Sequence, residues 1–561
     1  MRKGRPESWL KDLAASKAAF GDGAASRKLR LLRALARHPL KTAPGVLLLH
    51  EILCFLRAYP DDPSVLAQVR RMLAAFPRRA DLARHRARLA DTGIAGTDVR
   101  FAFFPSTAGW LARRCGESLS IVWDGFEPGP VMEGLLAQFG LAAETPAFDA
   151  YDYGVRGWIR RMKGPAETDA AFFLKRLEQL GGSAEGREAI LEHLDIPFRL
   201  TPGAQTPSRT FESFGRTPVA FQSRALDRSR PRLALDVATP PESMEILSPA
   251  AGRRLIDTAR GCMVTRARDL DAFCYGDPGD VRLFGFGDGL HIGLIGVAPE
   301  RRFLLEALYG FLILKNRVPV GYGTYTSLFG SAEVAFTVFD AFRAGEAARM
   351  YGKVLAVAKS TLGCTSFTIH PYQIGQDNED AVRSGAWWFY QKLGFRPPSR
   401  KLLDVMAREE RRMARSPGYR SSAPTLRRLA SECLCFHLGD PREDVVGLLP
   451  LAGAGLAVTA EISRRFGFDR RRAERVCLRE AVQRVGVEPR PGFTGRERLA
   501  WRRWAPLLLV LPGLETWSRG EREALVRVIR AKGGRRESDY VITFDAHGPL
   551  RRSLVTLVQA Q

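Results

Sequence analysis

The stretch FLILKNRVPVGYGTYT, residues 311–326, decides how the rest of the chain is read. Two runs rich in apolar and aromatic residues, FLILK and VPVGYGTYT, flank the dipeptide Asn316-Arg317, a spacing that predicts a hairpin of two central antiparallel strands. SAEVAFTVF, from Ser331 to Phe339, predicts a third strand whose alternation puts Glu333 and its neighbours on opposite faces. The period then changes. Ala347 to Leu362 reads as an amphipathic helix, Ser366 to His370 as a strand, Ser384 to Leu393 as a short helix, and Phe395 as the start of another strand. Upstream, Pro249 to Arg266 reads as a helix and the continuous apolar run Leu290 to Val297 as a buried strand.

Both flanks read differently from this centre. The N-terminus, MRKGRPESWLKDLAASK and on to Arg37, is basic and helix-prone, either a flexible arm or a surface helix. Val46 to Pro60 is apolar at helical spacing and stops at a proline; Ser64 to Phe76 and Ala80 to Leu89 continue the pattern into a helical array. Strand-like runs at Val99 to Phe104 and Leu119 to Trp123 precede a return to helix, where either Thr168 or Asp169 can cap AAFFLKRLEQL. After Pro398 the chain is helical and basic to about Val487; PRPGFTG breaks it, and a last unit carries a strand at Tyr540 to Phe544. The expected organisation is a mostly helical region at 1–198, a linker, long loop or binding lid at 199–241, a sheet-bearing domain at 242–400 and a mostly helical basic region at 401–561.

Composition sets the outer limits. At 561 residues the chain exceeds a single hydrophobic core, so three or four units are expected, and 45% apolar residues argue against disorder. The net charge of +24 suits a nucleic-acid or anionic-membrane partner. Yet arginine, alanine and glycine are abundant throughout, as a GC-rich genome colours any protein. The basic residues do not gather in one tract with interleaved aromatics; Arg470, Arg471, Arg472 and Arg475 are the tightest cluster after the N-terminus. A nucleic-acid partner is the less favoured reading. Eight scattered cysteines without a CxxC pair read as reduced thiols of a cytoplasmic protein. Cys433, Cys435 and His437 invite a metal, but their apolar surroundings read as core and no metal is expected. No stretch has the length and apolarity of a membrane span.

Two segments give the centre a family likeness. EVAFTVFDAFRAGEAARMY resembles the strand-to-helix motif of GNAT acyltransferases, and SGAWWFYQKLGFRP resembles the A-x-x-x-Y-x-x-x-GF motif that ends their fold. The resemblance covers about ninety residues from Phe311 to Pro397. It implies an α/β GNAT-like mixed sheet with helices on both faces, flanked by mostly α-helical N- and C-terminal regions. Its co-substrate is acetyl-CoA or another acyl-CoA, and its acceptor an amine.

In that likeness the helix N-terminus offers backbone N–H groups and partial positive charge to the CoA pyrophosphate, with Arg343, Ala344, Gly345, Ala347 and Ala348 as its cradle. The backbones of Val338 and Phe339 pair with the pantetheine arm. Glu346 departs from the motif, standing where a glycine is usual; a carboxylate there repels phosphate unless it points away, and it equally suits the helix dipole. Tyr390 matches the tyrosine that protonates the departing thiolate, or is one more aromatic in a packed WWFY cluster. The acceptor amine must be neutral to attack. Glu333 is the matching base, or an ordinary strand carboxylate, and His370 is the second candidate. Arg383 occupies the place of a usual asparagine, and Asn378 is the nearest substitute. The alternative to N-acyl transfer is a non-catalytic GNAT-fold scaffold whose basic helical regions bind nucleic acid or an acidic partner.

Overall fold

The computed structural model describes residues 5–227, 229–343, 345–486 and 492–560. Five helices open the chain: α1 (Pro6–Ser16), α2 (Ala24–Arg37), α3 (Ala43–Ala58), α4 (Pro63–Ala75) and α5 (Ala80–Arg84). The Thr42 hydroxyl accepts from the Gly45 N–H to start α3, and the Asp62 carboxylate accepts from Val65 to start α4, each with a proline in the first turn. Helix α3 is buried on nearly every side because it lies between its helical neighbours and the central sheet.

Three short strands follow, β1 (Val99–Phe101), β2 (Leu119–Ile121) and β3 (Phe198–Leu200), paired antiparallel in the order β1-β3-β2. The helices between them close a separate core around Trp110, Leu111, Phe139, Phe173 and Leu191, joined from outside residues 99–200 by Val264. Thr168, not Asp169, caps the Asp169–Gln179 helix, accepting from Ala171. Residues up to Ile94 belong instead to the main core, so the first two hundred residues serve two different cores.

Between β3 and the central sheet, residues 201–227 and 229–232 form a strap without helix or strand among the described residues, yet its backbone is tied down. Arg57 donates to the carbonyls of Thr210 (2.6 Å) and Glu212 (3.2 Å), and the Gln222 N–H donates to Pro60 (2.8 Å).

The central sheet has eight strands lying in chain order: β4 (Ser243–Ile246), β5 (Gly276–Gly285), β6 (Leu290–Val297), β7 (Ala307–Lys315), β8 (Val318–Leu328), β9 (Ser331–Val338), β10 (Ser366–Ile369) and β11 (Leu434–His437). All neighbours pair antiparallel except β9 and β10, which run parallel and are joined through a helix. Three helices frame it: α6 (Pro249–Val264), α7 (Asp271–Cys274) and α8 (Ala347–Leu362). Asn316 and Arg317 join β7 to β8 with φ of 48° and 71°, both left-handed as a two-residue hairpin requires. The strap and the end of α3 hold this turn: the Asn316 amide donates to Ala58 (2.8 Å) and Ala220 (2.9 Å), and Arg317 Nε donates to Thr217 (2.7 Å).

Helices cover the sheet from both sides. Gly293 makes room for Leu255 of α6, and Gly310 for Phe273 of α7. On the opposite face Tyr325 donates its hydroxyl to the Val354 carbonyl of α8 (2.6 Å), and Tyr351 packs on Phe336 with ring centroids 5.1 Å apart. One buried cluster runs unbroken from Leu10 through the sheet to Val558.

Two expectations need correction. Tyr540 to Phe544 is not a strand but part of helix α11 (Glu537–Asp545), which lies beyond α9 (Glu379–Ser384) and α10 (Ala386–Leu393) along the chain. Tyr540, Val541 and Phe544 fall on one buried helical face; the Tyr540 hydroxyl donates to Leu305 (2.5 Å) and the Ser538 N–H to Tyr309 (2.7 Å). Their β propensity is overridden by packing on β7 and β8. Phe395 starts no strand: Arg396 makes one isolated bridge to Cys435, and the sheet edge comes from the later β11. No helix among the described residues is long and apolar enough to cross a membrane.

Candidate functional site

Where α6 and α7 end, the sheet face stays partly open. Burial alternates along β8 and β9, leaving Tyr322, Thr324, Thr326, Glu333, Ala335 and Thr337 half-exposed on one face. Register places them as cross-strand pairs, Tyr322 beside Thr337, Thr324 beside Ala335 and Thr326 beside Glu333. Arg268 donates to the Tyr322 hydroxyl (2.9 Å) at one end of this floor. At the other, Glu333 lies beside Thr368 of β10, under a loop whose Gly447 has φ +90° and leaves room for the Glu333 carboxylate.

Glu333 and His370 are brought together here. Burial pushes the Glu333 carboxyl above its ordinary range; the charge of His370 opposes the shift and that of Glu306 adds to it. The His370 Nδ1 accepts from the Tyr372 N–H (3.1 Å), which leaves the proton of the neutral ring on Nε2. A carboxylate that holds its proton tightly, half-open to a groove floored by hydroxyls, is suited to accept a proton from a cationic group.

A second feature lies at the other end of β9. The β9–β10 pairing spans Ser331 to Glu333, after which the strands part. The Phe339 N–H donates to the Val320 carbonyl (3.0 Å), so Phe339 is committed to β8. By the alternation of an antiparallel ladder, the Val338 N–H and C=O point to the open edge. Tyr351 of α8 carries a buried hydroxyl without a partner among the described residues, and the Tyr59 hydroxyl, beside Gly345, is orphaned in the same way.

Helix α8 begins at this opening. Ala347 and Ala348 form its half-buried first turn, and Glu346 at its N-cap makes no capping bond. The Glu346 carboxylate is buried and paired with Lys315 (3.6 Å) and with Arg349 (2.9 Å) in the first turn of α8, so its charge is compensated. Arg343 is exposed and paired with Asp340 at 2.7 Å. Ala344 lies outside the described residues.

Tyr390 sits elsewhere. It is buried on α10 against Tyr351 (5.4 Å) and Phe395 (5.9 Å), which places it on the α8 side of the sheet, opposite the face that carries Glu333. Burial raises its phenol pKa. Asn378 caps α9, accepting from Ala381 and donating to Tyr372, each at 3.1 Å. The Cys433 and Cys435 sulfurs, 3.9 Å apart, are buried in the row beside Thr368, and His437 bonds Ser366 (2.9 Å). Among the described residues no three His, Cys, Asp or Glu side chains are grouped to hold a metal ion.

Sequence reasoning passed over the groove floor, Glu306, Lys315 and Tyr59. The alternation of GYGTYT held the signal for Tyr322, Thr324 and Thr326; Tyr59, more than two hundred residues from Gly345, gave none. No protein-family model matches this chain, and no curated protein and no solved structure matches it either.

Proposed function

We propose that this chain is an acyl-CoA-dependent N-acyltransferase of the GNAT type, moving an acetyl or other acyl group to an amine. The observation that carries the reading is the parting of β9 from β10 directly before a helix that opens on small residues. The Val338 backbone would hold the pantetheine arm, the orphaned Tyr351 and Tyr59 hydroxyls offer it polar partners, and the start of α8 would receive the pyrophosphate. Glu346 does not oppose this, because its charge is met by Lys315 and Arg349.

In this reading acyl-CoA supplies the activated acyl group. Glu333, its proton affinity raised by burial, takes the proton of the ammonium form so that the free amine can attack, and the His370 Nε2–H is placed to relay protons to solvent. The hydroxyl-lined floor orients the acceptor, and proximity contributes roughly 7–11 kcal/mol in favourable cases. Tyr390 remains the candidate acid for the leaving thiolate; its burial on the far face means that it would act through the gap between the strands.

Calorimetric titration with acetyl-CoA, with coenzyme A and ATP as comparisons, tests the reading. Saturable one-site binding that prefers CoA species supports it. Absence of CoA binding by protein that melts cooperatively removes it and leaves the scaffold reading.

A further inference from the structure

The net charge of the chain is concentrated in its first helices. Between Ala24 and Ala90, fourteen arginines and lysines face four carboxylates, so about an eighth of the chain holds +10 of the +24 total. All four carboxylates are occupied: Asp61 pairs with Lys28 (2.9 Å), Asp81 with Arg79 (2.7 Å), Glu51 with Arg209 (3.5 Å), and Asp62 caps α4. Three of the cations, Lys28, Arg57 and Arg79, are committed to internal partners. The other eleven are exposed and have no salt-bridge partner among the described residues.

The fold brings these charges into one surface. Arg27, Arg30, Arg33 and Arg37 recur at three- and four-residue spacing and so share one face of α2. Arg79 donates to the carbonyls of Leu35 and His38, and His85 bonds the Lys41 carbonyl, so the end of α2 lies against the segment that carries Arg78, Arg84, Arg86 and Arg88. Helices α2 and α4 pack together, adding Arg70 and Arg71.

We infer that this arginine face of the N-terminal helices binds the phosphate backbone of a double-stranded nucleic acid, a role that does not depend on acyl transfer. Arginine meets phosphate oxygens through paired N–H donors, and a ridge of uncompensated cations releases counterions from a polyanion when it docks. The first large apolar side chain among the exposed ones is Phe104, so the face carries nothing to insert into a bilayer. It likewise offers no exposed aromatic ring on which the bases of a single strand could stack. Backbone contact without base readout is the recognition this surface supports.

Fluorescence anisotropy of the full chain with a labelled short RNA duplex and the matching DNA duplex, over a salt series, tests the inference, with oligouridine and phosphatidylserine vesicles as the competing probes. The combined change Arg30→Gln, Arg33→Gln and Arg37→Gln should lower duplex affinity at least about tenfold. It should also make the slope of log K against log salt shallower by roughly 2–3, about 0.9 for each phosphate left without its arginine. A smaller effect should follow Arg86→Gln with Arg88→Gln. Thermal melts should stay unchanged, since every substituted side chain is exposed. Arg471→Gln, Arg472→Gln and Arg475→Gln, three exposed basic positions elsewhere, should leave binding intact. An equal drop in affinity in that control, salt-independent binding, or a preference for vesicles or oligouridine over duplexes would overturn the inference.

Discussion

The two faces of β8 and β9 share one backbone and have opposite surroundings. Facing α8 are Tyr325, Val334 and Phe336, closed to solvent, with Phe336 packed on Tyr351 and Tyr325 bonded to Val354. Facing away are Thr324, Thr326, Glu333 and Thr337, none fully buried, with His370 near Glu333. A strand that alternates every two residues can therefore build a packed wall and a half-open polar floor from the same eight or so positions. What differs between the faces is what each helix covers. The α6 and α7 pair stops over β7, whereas α8 runs across β8 and β9.

Neighbouring residues test this most severely. Tyr325→Ala on the packed face removes a fully buried ring and its hydrogen bond to Val354, and should cost about 3–5 kcal/mol. Thr324→Ala, one residue away on the open face, should change stability by no more than about 0.5 kcal/mol. Denaturant midpoints of the two variants measure the contrast, and similar losses would mean that the open face is covered in solution.

The open face should carry the chemistry. Glu333→Gln is expected to lower turnover with an amine acceptor by roughly 100-fold or more at neutral pH, with the deficit shrinking at high pH where the amine is already neutral. A deficit that stays constant across the pH range would assign Glu333 a positioning role. Ala348→Glu sharpens the distinction between the face and the end of the sheet. An added carboxylate in the first turn of α8 suits the helix dipole and so should spare stability, but should weaken CoA binding about tenfold or more by calorimetry. Unchanged affinity would place the phosphates elsewhere.

Much of this frame is legible in the chain. Leu290 to Val297 and Ala347 to Leu362 are delimited by local pattern, the first as a continuous apolar run and the second by a helical period ended at Gly363 by a left-handed stop with φ +69°. The Asn316-Arg317 turn is legible from spacing, although an arginine at φ 71° is unusual and is held there by the distant strap. Short and long-range features are not legible. Strand β11 is four residues long and joins the sheet from beyond five helices, and Tyr540 to Phe544 has the composition of a strand but the burial pattern of a helix. The nearness of His370 to Glu333 follows from strand order, whereas the opposite placement of Tyr390 depends on how α10 packs, which no local pattern encodes. The arginine face escapes notice for a related reason: its charges are spread along the sequence and converge only when α2 meets the segment after α4.

The smallest effect concerns stability at the open face and fixes the sign of the Glu333 shift. Burial holds the carboxyl above its ordinary range in the folded protein, so the native state keeps a proton that the unfolded chain has already released. Below the ordinary glutamate range, both states are protonated and Glu333 carries no penalty. As pH rises through that range, the unfolded chain gains a well-solvated charge that the folded protein resists forming, and stability falls until the native carboxyl also ionises. Glu333→Gln removes this loss. The variant should match the wild type in thermal melts at low pH and become slightly the more stable of the two toward neutral pH. If it becomes the less stable toward neutral pH, attraction to His370 outweighs desolvation, and the groove holds a fixed carboxylate in place of a proton acceptor.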